Sequence, residues 1–163
     1  MSILKRYDPL NRPVFLTCVT LDRQPLLVDL IHPLIAAYRH VLNLGVIVPA
    51  WVILPDHLHA VIDLGEGSLS DTVHRFKRKL SAVSYGRNHT GRLWQHRFWD
   101  HIIRDQADYN RHIDYTHFNP VKHGVSVEPA GWKWSSIHRW MAEGWYQPDW
   151  GRVEREDDGV FGE

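Results

Sequence analysis

Two β-rich runs lie almost end to end in the middle of this chain, at residues 45–54 and 57–64. Both are dominated by apolar residues, many of them β-branched, and only the turn-forming pair Pro55-Asp56 separates them. A connection this short can join two neighbouring strands only when they run antiparallel. The sequence therefore predicts a β-hairpin. Other strands have to extend this hairpin into a sheet, and helices have to cover the sheet.

The segments on either side of the hairpin alternate between extended and helical patterns. Residues 13–20 begin at a proline and are rich in β-branched and aromatic residues, which predicts another strand. Residues 93–104 could pair as one more strand or strand pair. Helices are expected at residues 30–42, 68–85, 107–118 and 135–142.

The helix at residues 107–118 has signals at both ends. Asp105 is a favourable N-cap, and Pro120 should end the helix at Asn119, because a proline disfavours the helical conformation of the residue before it. Strand, helix, hairpin, helix, strand and appended helices form an α+β pattern. We therefore expect a ferredoxin-like antiparallel sheet with helices on one face, plus C-terminal helices.

The length of the chain fits one domain. Its 163 residues suffice for one hydrophobic core, and no stretch approaches the roughly 20 apolar residues that span a bilayer. Cys18 is the sole cysteine, which excludes an internal disulfide and a zinc site built on cysteines. The N-terminus has no secretory signal pattern, so we expect a cytoplasmic protein with no membrane partner.

Charge is distributed unevenly along a chain whose formal net charge is zero. Residues 72–104 contain eight Lys or Arg and one Asp, whereas residues 154–163 contain five acidic residues and one Arg. The basic stretch predicts a surface for an acidic partner, followed by a short acidic tail. The cluster at residues 75–79, taken alone, is equally typical of a solvated helix face.

Two histidines on the second strand of the hairpin are candidates for metal ligands. His57 and His59 are two residues apart, so they share one face of a strand, while the apolar residues between and after them face the other side. Two neutral imidazoles at this spacing can converge on one divalent ion. In a chain with 12 histidines, one such pair can also arise by chance.

The helix at residues 107–118 supplies candidate partners. Asp108, His112, Tyr115 and Asn119 fall on one face at helical spacing. A tyrosine hydroxyl, with a pKa near 10, is a poor nucleophile unless a cation stabilises its phenolate or polarises its target. The alternative is structural, with Tyr115 packing its ring in the core and Asn119 capping the helix.

Several segments together resemble a known family, the single-tyrosine HUH transposases, and within it the REP-associated tyrosine transposases. The resemblance extends from about Val14 to Trp140. It is carried by His57-Leu58-His59, by the runs Trp94 to His101 and Tyr115 to Gly124, and by Trp134-Ser135-Ser136.

The resemblance implies a DNA-cleaving and DNA-joining enzyme. Tyr115 would be the nucleophile, and His57, His59 and Asn119 would bind Mg²⁺ or Mn²⁺. Its DNA partner would be a single-stranded hairpin of the REP type, cleaved to leave a 5′-phosphotyrosine and a free 3′-OH. Asp56 departs from the family, which more often has asparagine there, and this puts in doubt the groups that orient the first histidine.

On this interpretation residues 1–150 form the catalytic domain, and residues 151–163 form an acidic, flexible tail. DNA phosphates would be neutralised by Lys and Arg side chains, and exposed rings would stack unpaired bases. Of the rings at Trp94, Phe98 and Trp99, we expect at least two in the core. We assign DNA binding to Arg75, Lys77, Arg78, Lys79 and Arg97.

Three other functions are compatible with these residues. The first is a metal-dependent nuclease in which water attacks the phosphodiester. The second is a hairpin-binding protein whose catalytic residues are idle. The third is a zinc hydrolase of small molecules, for which the sequence lacks a carboxylate base at a recognisable spacing.

The choice of Mg²⁺ or Mn²⁺ comes from the resemblance, because affinity order alone favours zinc or copper. The sequence leaves a monomer and a dimer equally open.

Overall fold

The computed structural model describes residue 10 and residues 13–84 and 91–152. The expected acidic tail, apart from residues 151–152, lies outside the described residues, as does Tyr85 at the expected end of the second helix. No helix in the described part of the chain is long and apolar enough to cross a membrane.

Four strands form one antiparallel sheet in the order β2-β3-β1-β4, and four α-helices cover it, within the described residues. The central strands β1 and β3 pair along their whole length, and the predicted hairpin is the pair β2 and β3. This order and the α+β pattern confirm the expected fold class. The strands are β1 (Pro13–Val19), β2 (Ile47–Ile53), β3 (His57–Asp63) and β4 (Trp99–Ile102), and the helices are α1 (Ile31–Leu42), α2 (Leu69–Ser84), α3 (Gln106–Lys122) and α4 (Ile137–Ala142).

The two faces of the sheet are covered by different helices. Along β1, Leu16 and Cys18 pack in one apolar cluster with residues of α1 and α2, whereas Phe15 packs in a second cluster with residues of α3 and α4. The alternation of side chains along a strand produces this division. The first pair of helices therefore lies on one face, and the C-terminal helices close the other face over the His57 and His59 side of β3.

Helix α3 is longer than the sequence predicted. It begins at the expected N-cap, where the Asp105 carboxylate accepts a hydrogen bond from the Asp108 amide at 2.8 Å. The expectation that it ends at Asn119 is wrong, because the helix continues through Pro120. Packing has outweighed the local cost of the proline, since Asn119 and Pro120 are both buried.

The end of α3 is set by Gly124. The His123 amide still donates to the Asn119 carbonyl at 3.0 Å, and Gly124 then adopts a φ of +67°. Glycine is the usual residue at this left-handed position just beyond a helix. The extra turn has a functional consequence, because it carries Lys122 and His123 toward the face of the sheet that bears His57 and His59.

The segment expected as a strand or strand pair at residues 93–104 forms only the short edge strand β4. Trp94 makes one isolated bridge to Thr20 instead of a longer ladder. Trp94 is buried and Phe98 is partly buried against the same core, which confirms that two of the three rings are structural. Trp99 differs from them, with 36% of its surface exposed.

Candidate active site

The two histidines of β3 lie side by side on the face covered by α3. Because β3 is flanked by β1 and β2, both imidazoles are held on a rigid central strand, with 2% and 0% of their surfaces exposed. The ring centroids of His57 and His59 are 4.9 Å apart and the rings are nearly perpendicular. The two predicted ligands therefore lie close enough together to bind one ion.

Asp56 orients the first histidine. Its carboxylate accepts a hydrogen bond of 2.6 Å from Nδ1 of His57 and also pairs with the Arg23 guanidinium at 3.3 Å. Burial opposes ionisation of Asp56, but its hydrogen bonds and the nearby charges hold its pKa below the ordinary value. With Nδ1 occupied, Nε2 of His57 is left as the ligand atom. The residue that departs from the family pattern thus supplies the carboxylate that commonly orients a metal-binding histidine.

Thr17 of β1 orients the second histidine. Its Oγ1 lies 2.8 Å from Nδ1 of His59, which turns Nε2 of that ring toward α3. Burial, followed by the positive charge of neighbouring groups, holds the pKa of His59 well below its ordinary value. The imidazole is therefore neutral at neutral pH and offers a lone pair.

Helix α3 places Tyr115 against these histidines. The Tyr115 ring is 5.4 Å from the His59 ring, centroid to centroid, and 93% of its surface is buried. Nζ of Lys122 donates a hydrogen bond of 3.0 Å to the Tyr115 hydroxyl and lies 4.8 Å from the ring centroid. The predicted nucleophile and the predicted histidines are thus brought together, and Lys122 is a member of the site that the sequence analysis missed.

One residue of the last turn of α3 and the residue just after the helix lie against the histidine pair. Asn119 is fully buried, and its amide lies near the His59 ring without a hydrogen bond to it. His123 lies 4.7 Å from His57, ring to ring. The ligand atoms of His57, His59 and His123 all fall within 4.8 Å of one another. The structure brings the predicted ligand Asn119 to the site and adds His123.

The sequence analysis missed His123 because Pro120 predicted an earlier end of the helix. A helix that ended at Asn119 would have left His123 in a loop of undefined direction. The signal that could have found it is Gly124, because glycine just after a helix marks its true end. With that end, His123 falls two turns beyond Tyr115 on the same face.

The donor set fits a divalent metal. Among the described residues, Nε2 of His57, Nε2 of His59 and both polar atoms of the Asn119 amide are buried without hydrogen-bond partners. Leaving such atoms unsatisfied costs about 1–3 kcal/mol each, so sites of this kind are normally completed by an ion, a water or a ligand. Imidazole nitrogens and an amide oxygen are all competent ligands for divalent transition ions.

The five predicted DNA-binding cations are not equivalent. Arg75 forms an ion pair with Asp71 at 2.8 Å. Lys77 donates to the Gln95 carbonyl at 3.3 Å and lies over the rings of Trp94 and Phe98. Arg78, Lys79 and Arg97 are exposed. Since α2 covers the sheet face opposite α3, the basic helix does not line the centre that contains Tyr115.

Asp108 and His112, from the same predicted polar face, form a separate group with His101 of β4. The Asp108 carboxylate accepts hydrogen bonds from His101 Nε2 at 2.8 Å and from the Arg104 amide at 3.1 Å. Nδ1 of His112 donates to the main-chain carbonyl of Asp108 at 2.8 Å. A metal here would have to displace these bonds, so the group is best described as a hydrogen-bonded network between β4 and α3.

This network predicts an acid-sensitive contribution to stability. Burial opposes ionisation, but the hydrogen bonds from His101 and Arg104 lower the pKa of Asp108 to about 2. Ionised Asp108 therefore adds about 2 kcal/mol to the free energy of unfolding. This contribution is complete above the pKa of Asp108 in the unfolded chain, near 4, and is lost as the pH falls toward 2. Urea unfolding between pH 5 and 2.5 measures the free energy of unfolding. The parent should lose this contribution at low pH, and Asp108→Asn should not. The exposed carboxylate variant Asp100→Asn is the control, and an unchanged acid slope in Asp108→Asn would contradict the assignment.

Comparisons with known proteins give one consistent result, although no family model matches the sequence. The REP-associated tyrosine transposase of Escherichia coli K12 is 40% identical over 103 residues, which are 62% of this chain and 60% of that protein. A Haemophilus influenzae protein named "putative REP-associated tyrosine transposase" is 34% identical over 151 residues, covering 84% of this chain and 86% of its own length.

A solved structure agrees with the sequence relatives. It is a REP-associated tyrosine transposase bound to a REP hairpin, and it superimposes with a TM-score of 0.80 at 32% identity, covering 100% of this chain and 98% of its own. The chain spans only 60% of the length of the Escherichia coli protein, but it covers 86% of the Haemophilus influenzae protein and 98% of the solved structure. This chain belongs to the REP-associated tyrosine transposase family.

Proposed function

We propose that this protein cleaves and rejoins single-stranded hairpin DNA by transesterification through Tyr115. The observation that carries the proposal is the position of the Tyr115 hydroxyl. It lies on a ring packed against His59 and accepts a hydrogen bond from the Lys122 ammonium. A hydroxyl that accepts a hydrogen bond from a cation, on a ring packed against a candidate metal ligand, is suited to nucleophilic attack on a phosphodiester.

In the proposed reaction, the Tyr115 oxygen attacks the phosphorus and the bond from phosphorus to the 3′-oxygen breaks. Tyr115 loses one proton as its new bond forms, and the departing 3′-oxygen gains one, so the products are a 5′-phosphotyrosine and a free 3′-OH. Lys122 stabilises the negative charge that develops on the phenol oxygen. Attack by a 3′-OH on the phosphotyrosine reverses the sequence and rejoins the strand.

His57 and His59, with Asn119 or His123 or both, would hold the divalent ion. When bound, the ion supplies Lewis-acid polarisation of the phosphodiester. Of the two ions expected from the sequence, Mg²⁺ and Mn²⁺, we favour Mn²⁺. Mg²⁺ strongly prefers oxygen ligands, whereas two or three of the donors here are imidazole nitrogens.

We place hairpin binding on cationic side chains at the surface. The related solved structure is bound to a REP hairpin, which supports a hairpin as the partner here. Among the five cations assigned from the sequence, Arg78, Lys79 and Arg97 are the best candidates, because Arg75 and Lys77 already make intramolecular contacts. Residues 1–150 would act as the catalytic domain and residues 151–163 as the acidic tail.

The test is a denaturing gel of the protein incubated with single-stranded hairpin DNA, with Mn²⁺ and without any divalent ion. We expect a protein–DNA adduct that survives denaturant and forms only with the ion, and no adduct with the same sequence as a perfect duplex. Cleavage without an adduct would instead indicate attack by water. Tight binding with neither cleavage nor adduct would indicate an idle hairpin-binding protein.

Lys122 provides a prediction within the same site. Replacing it with methionine should slow cleavage by about 10- to 100-fold, because one charged hydrogen bond to the reacting oxygen is removed. Lys122→Arg keeps the charge and should recover part of the loss, and hairpin binding should change by less than about threefold. Single-turnover cleavage rates and fluorescence anisotropy measure the two effects.

The matched control is Lys133→Met. Lys133 also lies over an aromatic ring, with Nζ 4.6 Å from the Trp134 ring centroid, but no contact links it to Tyr115. The control should cleave at the parent rate. Equal rates for Lys122→Met and Lys133→Met would remove Lys122 from the mechanism.

A further inference from the structure

Three rings form a row beside the candidate active site. The Trp99 and His101 rings of β4 are nearly parallel, with an interplanar angle of 7° and centroids 6.2 Å apart. His101 stacks in turn on His112 of α3, at 4.6 Å and 17°. The row therefore runs from the interior of the α3 interface outward to the sheet edge, where Trp99 is its exposed end.

Asp108 fixes the inner part of this row. Its buried carboxylate binds His101 at 2.8 Å and lies 3.2 Å from His112, so both imidazoles are held through one residue. On its other side, Trp99 meets Phe15 edge to face at 5.8 Å. A Trp ring supported from two directions is preorganised, so binding against it forfeits little side-chain entropy.

The position of Trp99 relates it directly to the reacting groups. In the register of β1 and β4, Trp99 is opposite Thr17, the residue whose hydroxyl orients His59. Phe15, which touches Trp99, also meets the Tyr115 ring at 5.8 Å. One ring therefore separates Trp99 from the candidate nucleophile, and both lie on the same face of the sheet.

The exposure of Trp99 distinguishes it from its neighbours in sequence. Trp94 is buried in the core and Phe98 is partly buried against it, whereas Trp99 leaves 36% of its surface open to solvent. The exposed cation Arg97 is two residues away in the sequence. An exposed, rigid indole is suited to stack an unpaired base, and a cation nearby in the sequence can neutralise a phosphate.

We propose that Trp99 is a stacking platform for one unpaired base of the DNA strand, next to the phosphate that Tyr115 attacks. This inference rests on the function proposed above and adds a positioning residue to it. By holding the neighbouring base, Trp99 fixes the scissile phosphate relative to the Tyr115 hydroxyl, which is the role that orientation plays in such reactions. The imidazoles of His101 and His112 act through Trp99, as its support.

The experiment uses the full chain carrying Tyr115→Phe, which keeps the bound DNA uncleaved. The probe is a DNA hairpin with a short single-stranded flank in which 2-aminopurine replaces one flanking base at a time. Fluorescence of this base falls when it stacks. We expect strong quenching at one or two flank positions, and Trp99→Ala should abolish it and weaken hairpin binding about 5- to 150-fold, the range typical of one stacked base.

Two further variants keep the result interpretable. Trp99→Phe preserves an aromatic contact with Phe15 and should retain part of the quenching, which also provides a reading if the alanine variant fails to fold. Trp145→Ala removes another exposed tryptophan, 46% exposed and located after α4, and should match the parent in quenching and affinity.

The outcomes separate the platform from the proposed function. Two results would show that the platform is wrong while leaving the proposed function intact. In the first, the Tyr115→Phe protein binds the hairpin by anisotropy but quenches 2-aminopurine at no flank position. In the second, adding Trp99→Ala leaves the quenching unchanged. If the protein does not bind the hairpin at all, both are overturned. Position-specific quenching that depends on Trp99 supports the platform.

Discussion

Replacing Tyr115 with phenylalanine should abolish both strand cleavage and the covalent DNA adduct. The substitution removes only the reacting oxygen, so we expect a rate loss on the order of 10⁴-fold or more, as for other covalent nucleophiles. The ring keeps its contacts with His59 and Phe15. Loss of the hydrogen bond from Lys122 should change the free energy of unfolding by only about 0.5–1.5 kcal/mol. Hairpin binding should therefore persist and can be measured by anisotropy on the same sample.

Peptide mapping of the adduct provides the independent check. Tyr109 lies on the same helix, but it is 99% buried in the second apolar cluster, and burial raises the pKa of its hydroxyl. Tyr38 lies on α1, on the other side of the sheet, so Tyr38→Phe is a matched control that should form the adduct at the parent rate. A DNA-linked peptide from any tyrosine other than Tyr115 would falsify the mechanism.

Removing either histidine of the β3 pair should have an effect of similar size. His57→Ala and His59→Ala each delete a ligand, and we expect cleavage to fall by about 10³-fold or more and Mn²⁺ affinity to fall with it. Asp56→Asn leaves the ligand in place but weakens its orientation, so a smaller loss of about 10- to 100-fold in Mn²⁺ affinity is expected. Isothermal titration with Mn²⁺ measures these affinities without reference to DNA cleavage.

The same titration distinguishes the two further candidate ligands, Asn119 of α3 and His123 just after it. If both Asn119 and His123 are ligands, the variants Asn119→Ala and His123→Ala should each weaken Mn²⁺ binding, and the double variant should resemble His59→Ala. An effect confined to His123→Ala would remove Asn119 from the metal site. The control is His74→Ala, an exposed histidine on α2 across the sheet. Mn²⁺ affinity unchanged by both His57→Ala and His59→Ala would eliminate the proposed site.

The sequence predicted the parts of the fold that depend on local periodicity. The hairpin followed from two apolar runs and a two-residue connection, and the shared face of His57 and His59 followed from the alternation of a strand. The N-cap at Asp105 followed from residue type. These features depend on neighbouring residues alone, so a single sequence is enough to place them.

What the sequence did not place depends on packing between distant elements. Pro120 predicts a helix end, yet the buried surface around it keeps α3 helical to Lys122, and this last turn brings Lys122 and His123 to the site. The internal contacts of Arg75 and Lys77 likewise depend on side chains that only the tertiary fold determines. The assignment of these two residues to DNA binding stays a prediction.

The nucleophile and the histidine pair belong to neighbouring layers, one on a C-terminal helix and the other on a central strand. During synthesis the strand emerges from the ribosome well before α3 does, and domains generally fold as units once their chain is complete. A nascent or prematurely terminated chain that stops before α3 would carry the histidines without the tyrosine. On the proposed mechanism such a fragment could not form a covalent bond to DNA, so only chains whose C-terminal layer has been made and docked would break a DNA strand.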